Sequence, residues 1–104
     1  MENRFDISGR IAVVTGGSGV LGSNIAEGFL QAGAEVIIIG AHQDRVVSAV
    51  NKLQKVSPNI CGFACDVLDV EKLQKVRDEI LSRRERIDIL INAIEVNIGE
   101  IIAM

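Results

Sequence analysis

Residues 11–22 read Ile-Ala-Val-Val-Thr-Gly-Gly-Ser-Gly-Val-Leu-Gly, and this stretch decides the fold. An apolar run typical of a buried strand ends at a cluster of glycines, and a segment with helical spacing of its apolar residues follows at once. A strand that turns through glycines directly into a helix is typical of parallel sheets. The stretch therefore predicts the first strand and first helix of an α/β domain.

The same alternation continues along the chain. It predicts strands over 10–15, 35–39, 60–65 and 87–92, and helices over 20–32, over about 44–56, and from Asp69 onward. Strands of nearly continuous Val, Ile and Leu indicate a parallel sheet covered on both faces. We therefore predict an α/β fold, half of a doubly wound Rossmann fold, with four parallel strands in the order 3-2-1-4. Right-handed crossovers place the first two helices on one face and the third on the other.

Local signals mark where the helices begin and end. Gly33 supplies a left-handed residue that ends the first helix, and the Ser-Pro-Asn sequence at 57–59 ends the second. Asp69 is predicted to cap the third helix. Three arginines near its end, Arg83, Arg84 and Arg86, complement the negative end of the helix dipole, which is favoured over a basic binding patch.

Length and charge exclude several classes of protein. The 104 residues, 48% of them hydrophobic, are predicted to form a single domain over 1–104. A net charge of -3 with interspersed signs argues against nucleic acid or an anionic membrane as a partner. No apolar run approaches the roughly 18 residues of a membrane span, and the first residues lack a signal core. We expect a cytoplasmic location.

The two cysteines are predicted to be structural. Cys61 and Cys65 fall in one predicted strand, where positions four apart are separated by about 13 Å, so they cannot form a disulfide with each other. No histidine or further cysteine is placed to complete a metal site. We interpret both as small buried side chains in a reducing compartment.

The glycine loop has the spacing of a phosphate-binding turn. Gly17, Gly19 and Gly22 match G-x-G-x-x-G, with expected roles in the tight turn, close approach to a pyrophosphate, and helix packing respectively. Backbone N–H groups at the positive end of a helix dipole bind phosphate without side chains in the way. The alternative is that these glycines serve only the turn from strand to helix.

Several motifs together resemble the short-chain dehydrogenases/reductases. Residues 5–16 look like the family's opening, Asp66-Val67 matches its adenine-contacting pair, and the residues from Ile89 to Ala93 match the start of its Asn-Asn-Ala-Gly motif. The resemblance implies NAD or NADP as cofactor. It also implies a set of cofactor-binding residues, namely Thr15, Gly16, Gly17, Ser18, Gly19, Val20, Leu21, Gly22, Ala41, His42, Asp66, Val67, Asn92 and Ala93.

Two departures from the family pattern lie close to the expected cofactor. Val20 occupies the place of the middle glycine and Gly19 comes one residue early, a spacing that resembles the extended sugar-nucleotide epimerases and also certain mannonate or fructuronate oxidoreductases. The opening segment favours the oxidoreductases. Ile94 and Glu95 stand where the family has Ala-Gly, so they are expected to crowd and repel a dinucleotide.

The end of the second strand leaves the choice between NAD and NADP open. Gly40, Ala41 and His42 stand where an acid would mark NAD and where the family's arginine would mark NADP. His42 or Arg45 could meet a phosphate, but a surface histidine and a solvated helix arginine are the favoured interpretations. Asp44 is interpreted as a partner of the helix dipole.

The catalytic groups that the resemblance implies are missing. The family uses a Ser, a Tyr and a Lys four residues beyond that Tyr, with a supporting Asn, and this sequence contains no Tyr. The chain therefore resembles the first half of the family's domain and is expected to be inactive alone. The alternative is a non-enzymatic half-Rossmann scaffold.

An uncovered sheet edge is predicted for such a half-domain. The fourth strand, at 87–93, would lack its neighbour, and exposed apolar edges associate. The apolar residues 98–104 are expected to cover part of this face or to form a contact in a homodimer or higher oligomer.

Overall fold

The computed structural model describes residues 7–93 and Ile102. Four parallel strands form one sheet in the order β3-β2-β1-β4, as predicted. The elements in chain order are β1 (Ile11–Thr15), α1 (Val20–Gln31), β2 (Glu35–Gly40), α2 (Gln43–Leu53), β3 (Ile60–Ala64), α3 (Val70–Arg84) and β4 (Ile89–Asn92). The predicted α/β half-Rossmann architecture is confirmed.

The sheet separates two apolar layers. Ala12 and Val14 of β1 face α1 and α2, whereas Ile11 and Val13 face α3. This division follows from the period of two along a strand, which sends successive side chains to opposite faces. Because all five residues of β1 are buried, this strand lies at the centre of both layers.

Two of the predicted helix signals are confirmed, those at Gly33 and Asp69. Gly33 has φ of 95° at the end of α1, and the carboxylate of Asp69 accepts a hydrogen bond from the Lys72 N–H at 3.2 Å. The helix α3 ends at Arg84, and the next residue, Glu85, adopts a left-handed φ of 66°. No sequence signal predicts this end, since a non-glycine residue rarely takes a positive φ.

Two predicted boundaries are wrong by two or three residues. The second helix ends at Leu53 because residues 55 and 56 donate to carbonyls three positions back, which tightens the chain into a turn. The fourth strand begins at Ile89, since the Asp88 carboxylate accepts a hydrogen bond from the Ile11 N–H at 2.8 Å in place of a backbone carbonyl.

Two of the arginines near the end of α3 form ion pairs within the fold. Arg84 Nε lies 2.6 Å from a carboxylate oxygen of Glu35, and Arg86 Nε lies 3.0 Å from both oxygens of Asp88. Arg86 also donates to the Gly9 carbonyl at 3.0 Å. These contacts fasten the end of α3 to the amino edge of the sheet.

The strand β4 lies at the edge of the sheet. Its residues Ile89, Leu90 and Ile91 are half-buried, whereas β1 is fully buried. Ile102 packs against the layer on the α3 side, and its carbonyl accepts a hydrogen bond from Arg77 Nη1 at 3.2 Å. The other residues of the predicted covering segment 98–104 lie outside the described residues. Among the described residues, no helix has the length and apolar character that crossing a bilayer requires.

Candidate functional site

The carboxyl ends of the four strands form one edge, which brings the predicted site residues together. Backbone hydrogen bonds continue the sheet beyond the strands, from Gly16 N–H to the Ile39 carbonyl at 2.8 Å and from Ala93 N–H to the Thr15 carbonyl at 3.0 Å. A third joins Cys65 N–H to the Gly40 carbonyl at 2.8 Å. The loops that follow all four strands are therefore held side by side.

The sharp turn after β1 is made by Gly16, not by Gly17 as predicted. Gly16 has φ of 71°, in the left-handed region that favours glycine. Gly17 is needed for a different reason, since a Cβ there would lie 2.5 Å from the side chain of Ile38. The turn can thus pack directly against β2.

Gly22 allows the helix α1 to pack against the loop, as predicted. A Cβ at this position would overlap the Gly16 carbonyl and lie 2.8 Å from the Cα of Gly17. The Ser23 hydroxyl adds a hydrogen bond to the Gly17 carbonyl at 2.8 Å. The first turn of α1 is therefore fixed relative to the glycine loop.

Some N–H groups of the glycine loop are used within the fold. Gly16 N–H donates to the Ile39 carbonyl at 2.8 Å, and Gly19 N–H donates to the Gly16 carbonyl at 3.0 Å. Within the described residues no acceptor takes the N–H groups of Gly17, Ser18, Val20, Leu21 and Gly22. Those of Val20 and Leu21, whose side chains are 83% and 64% exposed, lie at the positive end of the α1 dipole.

Thr15 supports the site from beneath. Its side chain is fully buried, and its hydroxyl donates to Asn92 Oδ1 at 2.8 Å. The hydroxyl fixes exposed Asn92 at the end of β4, beside Ala93.

The two residues predicted to contact adenine differ in burial. Asp66 is exposed after β3, with one carboxylate oxygen accepting the Leu68 N–H at 2.9 Å. The Val67 side chain is only 6% exposed and packs in the layer on the α3 side. Only the backbone of Val67 is left for a ligand.

No carboxylate stands at residues 40–43, directly after β2. Gly40 is buried, and a Cβ there would lie 2.5 Å from the Ser18 hydroxyl, so the glycine loop packs against the end of this strand. Ala41 and His42 are exposed, and His42 makes no side-chain cap on α2. Asp44 lies in the first turn of α2, as predicted for a dipole partner.

A cleft of about 450 Å³ opens between the start of α1 and α2. Sequence reasoning did not find it, although residues 45, 48, 49 and 52 have the spacing of one helical face. Two of its lining residues are cations, and several others carry hydroxyl or amide groups. The full lining is Ser18, Gly19, Val20, Ser23, Asn24, Asp44, Arg45, Ser48, Ala49 and Lys52. The cleft shares Ser18, Gly19 and Val20 with the glycine loop.

The cysteines lie apart from this chemistry, and both are free thiols. Burial raises the pKa of the Cys61 thiol, against the lowering effect of nearby Arg84, and burial also raises the pKa of Cys65. Raised pKa values disfavour the reactive thiolate. In the part of the chain that the structure describes, no cluster of His, Cys, Asp and Glu could hold a metal.

A family model described as short chain dehydrogenase matches residues 10–101. The chain belongs to the short-chain dehydrogenase family. The match includes the glycine loop, the end of β3 and β4, which are the segments that form the carboxyl edge.

Two curated proteins are similar over most of this chain. Short chain dehydrogenase/reductase dpchG from Colletotrichum higginsianum is 31% identical over 91 residues, covering 88% of this chain and 34% of that protein. Uncharacterized oxidoreductase UxuB from Bacillus subtilis is 33% identical over 87 residues, covering 84% of this chain and 31% of that protein. The chain thus spans about a third of the length of these relatives.

Solved structures share the fold of this chain. The RhlG/NADP active-site complex from Pseudomonas aeruginosa has a TM-score of 0.80 at 30% identity, covering 88% of this chain and 37% of that chain. A metagenomic short-chain oxidoreductase in complex with NADP has a TM-score of 0.76 at 25% identity, covering 82% of this chain and 38% of that one. Ile94 and Glu95, the two departures after β4, lie outside the described residues.

Proposed function

We propose that this chain binds the adenosine diphosphate half of NAD or NADP and forms the cofactor-binding part of a short-chain dehydrogenase/reductase. The observation that carries the proposal is the pair of open N–H groups of Val20 and Leu21 at the start of α1. They lie beside the switch in strand order between β1 and β4, where Rossmann-type sheets bind dinucleotides. The NADP complexes of two structural relatives support the same ligand.

Each strand end would then contact a different part of the cofactor. The first turn of α1 would bind the pyrophosphate, and Ala41 and His42 would lie along the adenosine ribose. Asp66 and the backbone of Val67 would contact adenine, while Asn92 and Ala93 would flank the nicotinamide side. Thr15 would act through its hydrogen bond to Asn92.

The bound nicotinamide would supply hydride transfer, and the protein must supply the proton. A proton donor within hydrogen-bond reach of the reacting oxygen is required, and this sequence contains no Tyr. The proposal therefore assigns this chain binding without turnover. The likeness of its glycine loop to certain mannonate or fructuronate oxidoreductases remains a prediction.

Calorimetric titration with NADH and NADPH tests the proposal, with a charged variant at the open N–H groups. Val20→Asp places a carboxylate beside the expected pyrophosphate, so we expect loss of measurable dinucleotide binding. The folded state should keep its stability, because an acid suits the first turn of a helix. Val20→Asn has a similar shape without the charge and is expected to bind more tightly than Val20→Asp. Absence of heat and of thermal shift for the unmodified chain at millimolar cofactor would refute the proposal.

A self-associating scaffold without cofactor is the second candidate. The half-buried β4 at the sheet edge favours it, since open strands pair with other chains. Sedimentation velocity with and without NADPH distinguishes the two candidates. A dimer unaffected by cofactor supports the scaffold, and a species stabilised by cofactor supports the binder.

A further inference from the structure

We infer that Ile102 and Arg77 form an intramolecular latch, in which Ile102 closes the apolar layer on the α3 side of its own chain and keeps a second copy from packing there. Two contacts carry the inference. Ile102 packs against this layer, and its carbonyl accepts a hydrogen bond from Arg77 Nη1 at 3.2 Å. The inference is independent of the proposed function, because neither residue belongs to the candidate cofactor site.

The layer on the α3 side needs more cover than α3 supplies. Within the described residues α3 is the single helix on this face of the sheet, whereas α1 and α2 share the other. Several apolar side chains of the layer are therefore only partly buried, namely Cys61, Phe63, Val76, Ile87 and Leu90. Removal of such surface from water is favourable, so either the chain itself or another molecule is expected to cover it.

Arg77 lies on the buried side of α3. Its side chain is 16% exposed, against 71% for Arg83 on the same helix. Arg84 is seven positions further along, so it shares a helical face with Arg77, and there it pairs with a carboxylate of β2. Arginine is rarely buried unless it is paired. The Ile102 carbonyl and the neighbouring carboxylate of Asp78 are the partners that accompany the burial of Arg77.

The tether between Ile102 and the sheet favours its own chain over a second copy. Ala93 is fixed to the end of β1 by its N–H bond to the Thr15 carbonyl at 3.0 Å, and only residues 94–101 separate it from Ile102. Short tethers give effective concentrations on the order of millimolar. At micromolar protein the same contact is therefore favoured roughly a thousandfold within one chain over contact between two.

The experiment shortens the apolar side chain and measures folding and association separately on the full chain. Ile102→Ala should lower the melting temperature even at the dilution at which the unmodified chain is a monomer, because the cover belongs to the same molecule. It should also strengthen self-association in sedimentation velocity by roughly tenfold, the factor that corresponds to half-burial of an isoleucine side chain. Val47→Ala, which shortens an exposed valine of α2 on the opposite face, is the matched control and should change neither by a comparable amount.

Arg77→Gln tests the hydrogen bond, and Arg83→Gln is its control with the same change of charge. Arg77→Gln should shift the melting temperature and the association in the same direction as Ile102→Ala. Arg83 is exposed and pairs with Glu79 of the same helix, so its replacement should have little effect. Because the two contacts form together when the latch closes, the double variant Arg77→Gln/Ile102→Ala should lose less stability than the sum of the two single losses.

Four results would overturn the inference. An unchanged melting temperature of Ile102→Ala at dilution means that this side chain does not close the layer. Weaker self-association of the same variant assigns Ile102 to a contact between copies. A lower melting temperature without stronger association means that a second copy is kept away by something other than Ile102. Additive losses in the double variant separate the role of Arg77 from that of Ile102.

Discussion

Gly22 and Gly28 lie in the same helix, but only one of them is required by its surroundings. A Cβ at Gly22 would overlap the Gly16 carbonyl, whereas a Cβ at Gly28 meets nothing within 4 Å. Gly22 belongs to the G-x-G-x-x-G motif, whereas Gly28 lies outside it. The distinction comes from the loop that folds back over the start of α1.

Alanine substitutions at these two glycines should therefore have opposite effects. Gly22→Ala is expected to lower the free energy of unfolding by roughly 1–3 kcal/mol through overpacking. Gly28→Ala should raise it by about 0.5–1 kcal/mol, because alanine costs less backbone entropy in an exposed helix. Urea unfolding followed by circular dichroism measures both. Equal effects of the two substitutions would contradict the packing role of Gly22.

Among the described carboxyl groups, Asp88 is the one whose pKa predicts a pH dependence of stability in acid. The hydrogen bond from the Ile11 N–H, followed by contacts with Arg86 and Arg10, lowers the pKa of this carboxyl below its ordinary value. A lowered pKa in the folded state stabilises the fold above the unfolded pKa of about 4, and this contribution is lost as the pH falls below it.

We expect Asp88→Asn to melt at a lower temperature than the unmodified chain at pH 7. The difference should shrink as the pH falls below about 4, because the carboxyl of the unfolded chain is protonated there while native Asp88, with its lowered pKa, takes up its proton only at lower pH. Asp78→Asn, an exposed position on α3 that pairs with Arg77, controls for the change in net charge. A difference in melting temperature that stays constant from pH 7 to pH 3 would contradict the assigned contact.

Among the elements, α3 depends most on its ends. It has few buried residues, Leu73 and Ile80, and it is the single described helix on its face of the sheet. Its amino end is held by the Asp69 cap, and its carboxyl end by the Arg84–Glu35 ion pair at 2.6 Å. A hydrogen bond at one end of α3 and an ion pair at the other thus supplement a narrow apolar contact.

Removal of the cap should destabilise the protein by about 1 kcal/mol. Asp69→Ala leaves the Lys72 N–H without its side-chain acceptor, and cap losses of this kind cost roughly 0.5–2 kcal/mol. Asp69→Ser keeps an oxygen that can accept the same bond and should recover most of the loss. Thermal unfolding of the three proteins gives the comparison. Equal stability of the alanine and serine variants would argue against a capping role.

For the molecule as a whole, the sheet is protected unevenly. The layer between the sheet and α1 and α2 is closed by two helices, whereas the other layer has α3 together with Ile102. The first three residues of the edge strand β4 are strongly apolar but only half-buried. Exposed backbone donors and acceptors at such an edge pair readily with another copy.

The predicted self-association should therefore depend on concentration. We expect sedimentation velocity to show dimers or larger species at high protein concentration and dissociation on dilution, against a monomer of 11.2 kDa. The sample should stay folded throughout, which near-constant circular dichroism verifies. A monomer at every concentration tested would rule out association through the β4 edge and the segment 98–104.

The sequence by itself determined the order of elements, the topology 3-2-1-4 and the family. The signals for these are local, since a strand period, a helix period, Gly33 and Asp69 each act on neighbouring residues. The glycine motif likewise located the turn from β1 to α1. Nothing in the sequence marked Glu85 as a helix end, because its positive φ depends on the turn that joins α3 to β4.

Only the tertiary structure decided where each candidate site residue lies and what its side chain contacts. Thr15 belongs to the motif, yet its burial beneath Asn92 makes it a support, and Val67 is drawn into the core beside its exposed neighbour Asp66. Gly16 takes the turn because Gly17 must pack on Ile38, a residue of another strand. These roles, like the cleft between α1 and α2, arise from distances between segments that are far apart in the chain, and such distances exist only once both faces of the sheet are packed.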